Sequence, residues 1–165
     1  MIVQQYQKIW RYNNWAWDYV FESMVNLTED EYRQERPFFW GSLHGLMSHC
    51  LAAEIIWINR LNGNSPKALL GADDFSSLST IIDQWQPVRQ QWHVYLGNLT
   101  EEQAGSICQY TSTEGELRQN VVADIISHAA NHATDHRSQM TPILAQLGHP
   151  TPELDYLFYC LSLQS

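Results

Sequence analysis

His128, His132 and His136 stand at successive four-residue steps within SHAANHATDHRSQM, residues 127–140. On a helix such steps put three imidazoles in one row, each about a turn beyond the last. Imidazole rings in an apolar surrounding need a separate partner for each ring nitrogen, whereas one divalent cation satisfies two or three rings at once. Rings at i and i+4 can be aimed at a single ion. All three cannot converge easily, because His128 and His136 lie about 12 Å apart along the axis at ~1.5 Å per residue. One pair is therefore expected, His128 with His132 or His132 with His136, joined by a ligand from elsewhere.

The elements that must hold such a pair follow from periodicity. The chain has 165 residues, 44% of them hydrophobic, with seven Trp and eight Tyr, which suits a single packed domain. A first helix is read over about 2–26, with Asn13 inside its apolar stripe as a tie between helices or a pocket group. Pro37 precedes a second helix, roughly 39–62, on which Ser42, Leu46, His49, Ala53, Ile56 and Arg60 share a face. His49 lies mid-helix in its apolar sector and is the natural third ligand, whereas His44 points away and is expected at a surface or an interface. A loop from Asn62 to Phe75 is long enough for a crossover between parallel neighbours. A third helix follows to about 99, with Pro87 inside its stripe, then a connector expected to be part helical and part irregular or extended. The fourth helix is read over about 117–147, its inner row running from Leu117 and Val121 through the three histidines to Met140, Ile143 and Leu147.

Charge and cysteine usage narrow the partners. Eighteen acids against nine Lys plus Arg give −9, so neither a phosphate backbone nor an anionic membrane surface is an expected partner. No apolar run approaches the ~20 residues of a membrane span, and the first ten residues do not read as a signal peptide. Cys50, Cys108 and Cys160 form no CxxC and fit a reducing cytosol, so a cytoplasmic location is expected. Rival metal motifs are missing: Ala129 stands where HExxH needs glutamate, there is no pair of Glu-x-x-His motifs, and no CxxCH. A three-His site leaves a coordination position open for water or substrate.

These residues also carry a family resemblance. Asn13-Asn14-Trp15-Ala16, Phe39-Trp40-Gly41-Ser42-Leu43-His44-Gly45, then His49 with Glu54 and Trp57, and above all the stretch Ser127 to Gln139 resemble the DinB/YfiT-like family. The resemblance implies an all-α, up-down-down-up four-helix bundle with a long crossover between its second and third helices. It implies His49, His132 and His136 as the ligands of a divalent metal, Zn or Ni. It further implies enzymes that use low-molecular-weight thiols for S-transfer or isomerisation, with the thiol activated at the metal. Two departures stand out: Asp135 and Ser138 occupy positions where the family commonly has His and Gly.

Within that reading His128, Asn13 and Arg137 are candidates for orienting the ligands or the substrate, and His128 could equally be a hydrogen-bonded core residue. The alternatives are a metal-dependent hydrolase, for which Asp124 and Asp135 are the nearest carboxylates in sequence, and a non-catalytic metal-binding stress protein. A small-molecule substrate and a homodimer are the expected partners.

Overall fold

The computed structural model describes residues 2–164 and is mostly helical. In chain order the elements are α1 (Ile2–Met24), α2 (Glu29–Arg33), α3 (Leu43–Leu61), a 3-10 turn (Ala72–Asp74), α4 (Leu78–Asn98), α5 (Glu101–Ala104), β1 (Ile107–Thr111), β2 (Leu117–Val121), α6 (Val122–Gln146) and α7 (Tyr156–Ser162). Of the four long helices, α1 packs on α4 and α6, and α3 packs on the same two.

Local chemistry sets where the elements start. Thr28 and Thr100 each form a reciprocal capping box, with Glu31 and Gln103, and Ser42 and Ser77 accept from the backbone amides of Gly45 and Thr80 to open α3 and α4. Pro87 lies inside an unbroken α4. The stripes expected on α1 and α4 form the core: Trp10 stacks on Trp92 at 3.9 Å between centroids, and Trp17 meets Trp85 at 4.6 Å. Tyr159 of α7 is buried against Tyr12 and Trp15, so the tail folds back on α1.

Three expectations are corrected. Residues 117–121 are strand, not helix: β2 pairs antiparallel with β1 from Ile107↔Val121 to Thr111↔Leu117, and Leu117 is exposed. The polar run 112–116 forms the hairpin turn, with Gly115 at φ 85. The inner face of α6 is also rotated from the histidine row. Val122, Ile126, Ala129, Ala133, Arg137, Met140 and Leu144 are its buried residues in register, while His128 is exposed. Finally, His44 is not at a surface. Its Nε2 lies 2.9 Å from the Ala72 carbonyl oxygen and its ring meets Tyr32 edge-on, because the 62–75 loop covers that side of α3.

Candidate metal centre

Three imidazoles from two helices meet at one point. His49 comes from the middle of α3, and His132 and His136 from successive turns of α6. The His132 Nε2 lies 2.9 Å from the His49 Nε2 and 3.1 Å from the His136 Nε2, and the three ligand atoms all fall within 4.8 Å of one another. An imidazole nitrogen carries either one proton or one in-plane lone pair. His132 Nε2 therefore has one proton or one lone pair to share between two neighbours, and at most one of the contacts is a well-directed hydrogen bond. A cation among the three nitrogens removes that conflict, since each lone pair then points at it; the donor set could hold a divalent metal.

Burial prepares the rings for that role. Desolvation, helped by the neighbouring imidazoles, lowers the His49 pKa to about 3 and that of His132 to about 4; desolvation also lowers His136. The rings are thus neutral at physiological pH, with lone pairs available. Trp40, from the loop before α3, stacks on His49 with centroids 3.6 Å apart and planes 19° apart, and meets His136 edge-on at 5.9 Å. It forms a wall of the site, a role that its place in the Phe39–Gly45 motif did not disclose. The available signal was its position, nine residues before His49 and just ahead of the α3 N-cap.

The other candidates divide. His128 lies outside the cluster, with its ring 5.8 Å from His132 and edge-on to Trp57 at 5.0 Å. It is neither a core residue nor part of the converging set. Asn13 and Arg137 are buried behind the ligands. Arg137 donates from Nη1 to the Asn13 side-chain oxygen, Asn13 Nδ2 donates to Glu54 Oε1 at 3.1 Å, and Trp85 Nε1 donates to Glu54 Oε2 at 2.8 Å. The Arg137 guanidinium also faces the Trp17 ring at 5.1 Å. This chain of bonds links α1, α3, α4 and α6, with Glu54 five residues after His49 and Arg137 directly after His136. Asp124 and Asp135 are both exposed.

Beside His49 and His132 opens a groove of about 430 Å³. One wall is α3, through Ala53, Ile56, Trp57 and Arg60; the opposite wall is the β1–β2 hairpin, through residues such as Tyr110 and Glu114. The site therefore joins a three-histidine cluster to a space large enough for a small organic molecule.

A mostly helical chain with a three-histidine cluster between two of its long helices is the class that the fold and site define. The sequence profile of the DinB family matches residues 1–163. The chain also shares 23% identity over 159 residues with Protein DinB of Bacillus subtilis (strain 168), covering 92% of this chain and 91% of that one. The chain belongs to the DinB family.

Proposed function

We propose that this protein is a metal-dependent enzyme in which His49, His132 and His136 hold Zn or Ni and the adjoining groove binds a small-molecule substrate, on an up-down-down-up four-helix bundle. The observation that carries this reading is the pair of Nε2–Nε2 contacts at 2.9 and 3.1 Å, which a single proton or lone pair serves poorly and one shared cation would serve fully. A divalent ion held by three neutral ligands keeps its full charge, and so supplies Lewis acidity to a thiol or water that approaches from the groove. The protein's own contribution is to keep the three rings neutral, to lock His49 against Trp40, and to admit ligands along α3. Transfer of a low-molecular-weight thiol to an electrophile is the chemistry we favour.

Hydrolysis of an ester, amide or lactone is the second reading, and one residue favours it. Glu114 is the carboxylate lining the groove; hydrogen bonds from Thr113 and Ser112 lower its pKa, which keeps it ionised as an acceptor for a water proton while making it a weak base. Elemental analysis of protein purified without a metal-affinity tag tests the metal: about one ion per chain is expected, and its loss in His132→Ala. Equal metal content in that variant would remove the site. Turnover of a panel of electrophiles with and without added thiol then separates the two chemistries. Thiol-independent turnover that collapses in Glu114→Gln would select hydrolysis.

A further inference from the structure

Arg60 lies on the same face of α3 as His49, eleven residues further on, and lines the same groove. Three helical turns at ~1.5 Å per residue separate their backbones by about 16 Å. The residue is only 7% exposed, yet its Nε has no hydrogen-bond partner, and the Glu114 carboxylate, whose charge favours the guanidinium, makes no ion pair with it. Two aromatic rings border it instead: the guanidinium sits 4.7 Å from the Trp57 ring and 4.6 Å from the Tyr110 ring, and the two rings meet edge-on at 5.5 Å, so they form a corner against which it rests. Cation–π contact of this kind holds the guanidinium in place without giving its donors an oxygen acceptor. A second cation, Arg118, also lines the groove, although it is paired with Glu116. The groove's carboxylate, Glu114, is hydrogen-bonded to Thr113 at 2.7 Å. A chain of net charge −9 thus carries two of its nine Lys plus Arg in one small groove.

We propose that Arg60, held in the corner of Trp57 and Tyr110, is an anion subsite that takes the carboxylate of a small acid lying along the groove toward the three histidines. This deepens the metal-dependent reading and rests on it for the reacting end of the substrate. The spacing suits a substrate whose carboxylate and reacting atom stand at opposite ends of an extended chain, over a span set by the about 16 Å between the two backbones and the reach of the two side chains. Planar bidentate pairing with a guanidinium distinguishes a carboxylate from the neutral amide of the same shape.

The test uses hexanoate and hexanamide on the metal-free protein, so that the histidines and any thiol chemistry play no part. Binding is followed by titration in NMR spectra that include the arginine Nε–H signals. Hexanoate should bind at least about tenfold more tightly than hexanamide, should shift the Arg60 Nε–H signal, and should lose its advantage in Arg60→Gln but keep it in Arg118→Gln. Equal binding of acid and amide, or an unmoved Arg60 signal in the wild type, overturns the proposal even if Arg60→Gln does not fold. Inorganic phosphate binding as tightly as hexanoate would also overturn it, by making this a site for free anions and not for a substrate's carboxylate. On the metal-loaded protein, mercaptoalkanoates of increasing length should bind more tightly than their amides only once the chain can span the groove. Failure of metal loading would remove the proposed function, while the metal-free comparison of acid with amide would still decide the role of Arg60.

Discussion

At the scale of single residues, the buried chain Arg137–Asn13–Glu54 supports the two ligand-bearing helices from behind. Both ions are strained by burial, which raises the Glu54 pKa and lowers that of Arg137, so each depends on the amide between them. Asn13→Ala removes an acceptor from one charge and a donor from the other, and should cost about 3 kcal/mol in urea denaturation. Asn13→Leu with Arg137→Met should cost less than the two single changes together, since the stranded charge leaves with its partner. The histidines carry a prediction of their own. In metal-free protein the folded His49 and His132 resist protonation until about pH 3 and 4, while the unfolded chain takes up protons below about 6.5. The unfolded state then binds more protons, so stability is at its full value above about pH 6.5 and declines as the pH falls toward those folded values. Denaturation at pH 7 and pH 5 should show this loss, and His132→Gln should reduce it; an unchanged difference would contradict the buried, neutral assignment.

The element that most depends on backbone geometry is the entry to α3. Gly45 sits in its first turn, and a Cβ there would come within 2.3 Å of the Trp40 carbonyl oxygen, a backbone atom with little freedom to yield. The loop bearing Trp40 can approach α3 because that position has no side chain. Gly45→Ala should therefore displace the ring from His49, destabilise the fold by about 1–3 kcal/mol, and weaken metal binding in a competition titration. Gly97 near the end of α4 meets nothing within 4 Å and has no positive φ. Gly97→Ala should stabilise by about 0.5–1 kcal/mol and leave metal affinity unchanged. Opposite signs for the same substitution would locate the effect in the α3 entry and not in helix propensity.

For the molecule as a whole, the proposed metal bridging α3 and α6 would bind the folded state and not the unfolded one. At a free concentration about a hundredfold above Kd it adds about 2.7 kcal/mol. In a domain of this size that corresponds to roughly 5–10 °C in Tm. Chelation should reverse the shift in the wild type, and His132→Ala should show neither the gain nor the loss. No helix among the described residues is long and apolar enough to cross a membrane.

Much of this molecule is written in local patterns. The four long helices, both capping boxes and the placing of His49 on one helix and of a histidine row on another depend on spacing and propensity, which act between near neighbours in the chain. The family resemblance picked His132 and His136 from a row that periodicity alone left undivided. Other features needed the folded chain. Periodicity puts His128 in the same row as its neighbours, but the core lies against the adjacent face of α6, so the row runs along a rim and its first member is exposed. His44 is buried only because a loop from 28 residues further along folds over it. The hairpin at 107–121 forms through pairing between two short segments with no strong stripe of their own. Arg60 read as one more member of a helical face, and its meaning comes from Tyr110, fifty residues away, which closes over it. Sequence by itself determined which residues could bind a metal and on which helices they stand, because helical geometry is local. Tertiary structure alone decided which of them meet, what lies behind them and what space opens in front, because those contacts join segments that only folding brings together.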